Sequence, residues 1–270
     1  MANFDQAEGL RRMLFGARPR FVTFLSALSP DEKNATLVNL SAGLGRLGHD
    51  VVLLDARANG TSAARWMDRQ ISTTLIDVAL QSRTLQQATL DTKQGFKLAS
   101  LCRYQNTTAN FQPNTLLLTK LNKVVENLGH SVDMVLVDGE LSELDRLQAS
   151  ALEEGEIVIQ VTNQPDSIKS AYSLIKRAHA KFGRREYGLL VTGVNEFEAR
   201  RVYDAMYQAA SNFLSVPIQF FGYVPQDDYL RRATRSGRSV VEAFPGAGAA
   251  MAFSRLAQSM IASNEFASIT

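Results

Sequence analysis

The amino-acid sequence predicts an α/β protein: a doubly wound, mainly parallel sheet of seven to eight strands with helices on both faces. Two observations carry that prediction. Short apolar runs of four to seven residues alternate with longer stretches of period near 3.6 along most of the 270 residues. The short runs are apolar on both faces, as strands held between helix layers must be. Strand and helix in alternation imply parallel neighbours joined by helical crossovers.

In order, the strand candidates are residues 21–26, 51–54, 96–101, 132–137, 156–161, 187–192 and 218–224. The first helix runs from about residue 30 to 47. In 116–128, Leu117, Leu121, Val124, Val125 and Leu128 form one stripe; in 166–181, Ile168, Ala171, Tyr172 and Ile175 do the same. A last helix, about 247–261, carries Ala249, Phe253, Leu256 and Met260 on one face. The polar segment 104–114 reads as a surface loop. We read residues 1–19 as an N-terminal arm and 20–270 as one α/β domain.

Composition excludes several function classes. Hydrophobic residues make up 45% and charged residues 21%, which is folded-protein chemistry and argues against disorder. Lys and Arg total 29 against 27 Asp and Glu, a formal net charge of +2, too balanced for a protein that coats nucleic acid. One cysteine, Cys102, allows no internal disulfide and suits a reducing compartment. His49, His130 and His179 are scattered, leaving no zinc-ligand spacing and no Ser/His/Asp or Cys/His arrangement. No apolar run is long enough to span a membrane, and the first residues lack a signal-peptide core. The expectation is a cytoplasmic protein without a metal centre.

In such sheets ligands bind beyond the carboxyl ends of the strands, so the first strand–loop–helix is the place to look. Strand 21–26 leads through Ala27-Leu28-Ser29-Pro30-Asp31-Glu32-Lys33-Asn34 into the first helix, and the next strand ends Leu53-Leu54-Asp55. A strand, a loop ending in Lys, a helix and then apolar-apolar-Asp is the skeleton of a P-loop nucleotide-binding protein. The loop's chemistry is wrong for it. A phosphate cradle needs glycines so that backbone N–H groups converge on the anion, yet no glycine lies between Phe21 and Ala42. Pro30 lacks an N–H, Asp31 and Glu32 bring carboxylates to the phosphate side, and Asn34 stands where a hydroxyl would hold Mg²⁺. The same residues fit a capping box better, with Ser29 at N-cap, Pro30 at N1 and Glu32 at N3. Such a cap is worth about 1 kcal/mol, and it fills the anion site from within.

At these residues the chain resembles the MinD/ParA group of deviant P-loop ATPases, and within it the flagellar-number regulators of the FlhG (FleN) kind. In the arm, Asp5-Gln6-Ala7-Glu8-Gly9-Leu10-Arg11-Arg12 is similar to that group's DQAxxLR motif. Val38-Asn39-Leu40, Val51-Val52-Leu53-Leu54-Asp55 and the Walker B-like Val135-Leu136-Val137-Asp138 follow in the group's order, as do Pro165-Asp166-Ser167-Ile168 and Leu230-Arg231-Arg232-Ala233. The resemblance implies a P-loop NTPase fold of the MinD (SIMIBI) type. It also implies a vestigial nucleotide site at Lys33, Asn34, Asp55 and Asp138, and an arm whose Asp5, Gln6, Leu10, Arg11 and Arg12 touch an FlhF-type GTPase. The departures matter as much. Of the group's GKGGVGKT loop only Lys33 keeps its charged chemistry; the signature lysine falls at Leu28. The acidic residue expected two after Asp55 falls at Arg57, and the adenine-holding asparagine falls at Thr192. Gly139-Glu140-Leu141 adds another carboxylate near the phosphate side. With four positions lost together, ATP-driven dimerisation is not expected.

Each feature has a plainer reading too. Lys33, beside Asp31 and Glu32, reads as a surface lysine in a helix's first turn, with a residual phosphate or sulfate contact as the alternative. Asp55 and Asp138 either cap strand ends or keep some metal affinity. Phe4, Ala7, Leu10, Met13 and Leu14 form a helical stripe, read as a peptide that enters a partner's groove rather than one docked on its own domain. Arg231, Arg232, Arg235 and Arg238 read as a solvated helix face, so nucleic acid is not an expected partner. The last helix has one cation, Arg255, too few for a membrane-surface helix, and reads as core. The expected function is a pseudo-ATPase that regulates flagellar placement or number through protein contacts, with no cofactor. Its expected partners are an FlhF-type GTPase and flagellar switch proteins or a flagellar transcription regulator. The alternatives are a weak ATPase acting as a Mg-ATP-dependent dimer switch, if the altered loop still binds ATP, and below it a DNA-associated partitioning protein. The oligomeric state stays open.

Overall fold

A computed structural model describes residues 20–57, 62–103, 115–141 and 149–267. The arm with Asp5, Gln6, Leu10, Arg11 and Arg12, and the polar segment 104–114, lie outside the described residues.

The chain enters β1 (Phe21–Ser26), turns into α1 (Pro30–Arg46) and returns as β2 (Val51–Asp55). Two short helices, α2 (Ala63–Trp66) and α3 (Leu75–Ala79), precede β3 (Thr89–Asp91) and β4 (Lys97–Ser100). Then come α4 (Thr115–His130), β5 (Met134–Asp138), β6 (Glu156–Val161), α5 (Pro165–Phe182), β7 (Tyr187–Thr192), α6 (Glu196–Leu214) and β8 (Ile218–Val224). The short α7 (Asp228–Arg235) and α8 (Val240–Ala243) lead to α9 (Gly248–Ala267).

The eight strands form one sheet in the order β3-β4-β2-β5-β1-β6-β7-β8. Every neighbouring pair is parallel except β3 with β4. Four strands have the predicted bounds, because both of their faces are held between helix layers. β3 has no counterpart in the prediction: three residues, Thr-Leu-Asp, carry no readable period. β5 begins two residues later than expected. Asp133 lies before it, with its carboxylate accepting the Asp50 amide at 2.9 Å. β2 and β5 each run one residue further, to Asp55 and Asp138, because those two residues are themselves partners in the ladder.

Apolar side chains fill both faces of the sheet. On one, Leu121 and Val125 of α4, Ala171 and Ile175 of α5, and Val202 and Met206 of α6 are buried. On the other, Leu37, Leu40 and Leu44 of α1 meet Phe253 and Leu256 of α9. Each fully buried Leu or Phe contributes about 1.5–3 kcal/mol relative to exposure. The last helix is therefore core, as expected, with Ala249, Phe253, Leu256 and Met260 all buried. It approaches α1 closely: a Cβ at Gly43 would lie 3.4 Å from the Ala257 Cβ and from the Phe253 carbonyl oxygen. Asn39 joins the same region, donating to the Ala35 carbonyl at 2.7 Å and accepting from the Val240 amide at 2.6 Å. Among the described residues no helix is long and apolar enough to cross a membrane.

Candidate functional site

The parallel order brings the carboxyl ends of β1, β2 and β5 together beneath the start of α1. The turn from β1 into α1 is built by its own side chains. Ser29 is the N-cap, and Ser29 and Glu32 form the expected capping box: the Ser29 amide donates to Glu32 Oε2 at 3.1 Å, and the Glu32 amide to Ser29 Oγ at 3.4 Å. The neighbouring amides are bonded as well. Ala27 N–H donates to the Gln160 carbonyl at 3.1 Å, Leu28 N–H to Ser26 Oγ at 3.1 Å, and Lys33 N–H to the Ser29 carbonyl at 3.1 Å. Pro30 has no amide hydrogen to offer. Gln160, buried on β6, ties the turn to the helix above it, donating to Thr36 Oγ1 at 2.7 Å.

Lys33 is not the surface lysine that its acidic neighbours suggest. It is 4% exposed, and its Nζ lies 2.5 Å from Asp138 Oδ1 and donates to the Gly139 carbonyl at 2.6 Å. The Glu32 carboxylate turns back onto Ser29, while the Lys33 stem spans inward to the end of β5. Asp138 is fully buried and meets a second cation, since Arg57 Nε lies 2.8 Å from its Oδ2. The same Nε is 3.9 Å from Asp55 Oδ1, and the Arg57 amide donates to that oxygen at 3.2 Å. Two formal cations and two formal anions thus form one buried, neutral cluster. Burying charge is tolerable only when it is paired in this way, and removing one member of such a pair costs about 3–5 kcal/mol. The turn beyond Asp138 can sit this close to β1 because it starts with glycine: a Cβ at Gly139 would lie 2.6 Å from Thr23 Cγ2.

Asn34 is buried as the fifth residue of α1, and Thr192 ends β7 half-buried. Sequence reasoning placed Arg57 as the loss of an acid and missed its pairing with Asp138. The signal for it was present: two aspartates ending neighbouring strands require cations, and Arg57 is two residues from one of them. Cys102 adjoins the cluster, its Sγ 3.6 Å from the Arg57 carbonyl oxygen. Burial, and then the Asp55 charge, push its thiol up to about 11. A cavity of about 260 Å³ opens beside the cluster, with Leu25, Leu28, Lys33, Arg57, Glu140 and Arg177 in its lining. That is below the roughly 300–1,000 Å³ usual for small-molecule sites. Among the described residues no group of three or more His, Cys, Asp or Glu is placed to hold a metal ion.

The arginines after β8 behave as a solvated face. Arg231 pairs with Asp228, Arg238 with Glu242 at 3.2 Å, and Arg232 lies over the rings of Tyr229 and Phe244. Two of the three histidines make local contacts: His49 meets Asp133 at 3.4 Å, and His179 Nδ1 lies 3.2 Å from the Gly183 carbonyl at the end of α5.

No protein-family model matches the chain. It is 26% identical over 227 residues to the antiactivator FleN of Pseudomonas aeruginosa, covering 84% of this chain and 80% of FleN. Its fold matches MinD in the MinC:MinD cell division complex of Aquifex aeolicus, with a TM-score of 0.68, 20% identity, and coverage of 90% of this chain and 96% of that one. It also matches the septum site-determining protein MinD of Pyrococcus horikoshii, solved with Mg-ADP, at a TM-score of 0.64 and 20% identity, covering 89% and 95%. The chain is thus similar to FleN (FlhG) over most of both chains, and its fold is that of the MinD/ParA-type ATPases, which together support a relationship to that family close to FleN.

Proposed function

We propose that this chain is a cytoplasmic regulator of the FlhG (FleN) kind that works through protein contacts and has given up ATP chemistry. The observation that carries this reading is the commitment of Lys33 to Asp138, under a turn whose Ala27, Leu28, Ser29, Glu32 and Lys33 amides are bonded within the chain. A P-loop lysine must reach phosphate, and the turn's N–H groups must converge on it. The magnesium nucleotide held by the Pyrococcus horikoshii relative does not fit the residues present here. Phosphates at the head of α1 would meet the Glu32 carboxylate in place of free amides. Lys33 could reach them only by leaving Asp138 buried with half its partners.

The arm, residues 1–19, is the part we assign to partner binding. Asp5, Gln6, Leu10, Arg11 and Arg12 would engage an FlhF-type GTPase and stimulate its hydrolysis, helix-in-groove. FleN's description as an antiactivator favours an activator, such as a flagellar transcription regulator, as a second partner, alongside flagellar switch proteins.

Calorimetry tests the first half. Mg-ATP and Mg-ADP should give no binding heat up to millimolar concentration, and a micromolar Kd for either would establish the weak-ATPase reading instead. A peptide of residues 1–20 tests the second. It should accelerate GTP hydrolysis by the cognate GTPase, and Leu10→Ala or Arg11→Ala should abolish that; an unchanged rate with the unaltered peptide removes the arm's role.

A further inference from the structure

Resting on the reading above, that the site takes no magnesium nucleotide, we infer that Arg57 is an internal replacement for a divalent cation. Its guanidinium occupies the position between the Asp55 and Asp138 carboxylates that such an ion would need. Three observations converge on this side chain. Asp55 and Asp138 are direct partners in the β2–β5 ladder, so their carboxylates leave neighbouring strand ends side by side. Both are buried, at 3% and 0% exposure, where a pair of like charges needs a cation between them. The Arg57 Nε lies 2.8 Å from Asp138 Oδ2 and 3.9 Å from Asp55 Oδ1, and Arg57 is only 7% exposed.

A hard divalent ion is held by carboxylate oxygens and water in the same way. The difference is that an arginine is covalently tethered two residues beyond Asp55 and never dissociates. Where a bound ion would come and go with ligand, this one fixes the segment after β2 against the turn after β5 permanently. Lys33 neutralises Oδ1 of Asp138 and leaves Oδ2 to Arg57. Removing Arg57 leaves the cluster with one net negative charge and a vacated space between two carboxylates.

The test is Mn²⁺ binding to the full chain without nucleotide, read by electron paramagnetic resonance and by thermal melting. Arg57→Ala should bind one Mn²⁺ per chain at least tenfold more tightly than the unaltered protein does. Arg57→Lys, still cationic, should not gain the site, and adding Asp55→Asn to Arg57→Ala should remove it. Without metal, Arg57→Ala should melt about 6–15 °C lower, as expected for a broken buried pair in a chain of this size. Millimolar Mn²⁺ should recover part of that shift, with no effect on the unaltered protein. Arg57→Gln, neutral but still polar, repeats the measurement should the alanine variant not fold. Metal-dependent refolding of either variant is the expected result in another form. The inference is overturned if folded Arg57→Ala or Arg57→Gln binds no Mn²⁺, if neither folds with or without it, or if the unaltered protein binds it equally well. Mg-ATP binding by the unaltered protein would instead overturn the nucleotide-free reading, so the two failures are told apart.

Discussion

The chain uses the same chemistry, guanidinium or ammonium against carboxylate, in two contrasting settings. At the carboxyl end of the sheet Lys33 and Arg57 meet Asp138 with almost no exposure. After β8, Arg231–Asp228 and Arg238–Glu242 lie on the surface, with side chains 41–78% exposed. Water and salt screen the second set, so each pair contributes at most a few tenths of a kcal/mol. The first set has left water, so its members depend on one another. Its geometry is therefore a constraint on the whole site, while the surface pairs only decorate helices that would form without them.

Charge removal in the two settings should give very different losses. Asp138→Asn leaves two buried cations without their shared carboxylate and should lower stability by about 3–5 kcal/mol, measured by denaturant unfolding. A loss under about 1 kcal/mol would erase the distinction between the settings. Burial also governs Cys102. With its thiol pushed up to about 11, the native chain should react with iodoacetamide at pH 8 about 100-fold more slowly than the unfolded chain. The sign follows: this group's contribution to stability is complete below the thiol's ordinary pKa and is lost as pH rises through about 11. Ser29→Ala, which removes the exposed cap, should cost about 1 kcal/mol. Smallest of all, Arg231→Ala and Arg238→Ala should each change the unfolding free energy by less than about 0.5 kcal/mol, and less still in high salt.

The parts legible in the sequence are those fixed by neighbours along the chain. β1, β6, β7 and β8 announce themselves by runs of apolar residues, and the capping box by Ser29 and Glu32 three residues apart. Lys33 was not legible from its surroundings. Asp31 and Glu32 suggest solvent, whereas its partner Asp138 lies 105 positions away and is brought there by the placement of β5 beside β1. Arg57 was visible as a departure from a family pattern, but its contact with Asp138 depends on the β2–β5 register. β3 escaped because three half-exposed residues carry too little pattern.

The link between α1 and the chain's last quarter bears on how this protein is made. Asn39 accepts from the Val240 amide, 201 positions later, and Gly43 needs the backbone of α9 against it. At a ribosomal pace of roughly 5–20 residues per second, α1 waits about 10–40 s for the residues that cover it. Among the described residues, the first helix to emerge is thus among the last to be sealed. Until then its Leu37, Leu40 and Leu44 face is open to chaperones and to neighbouring nascent chains. Release of a truncated product lacking α9 would leave that face exposed for good, which predicts aggregation of such products rather than accumulation of a smaller working protein.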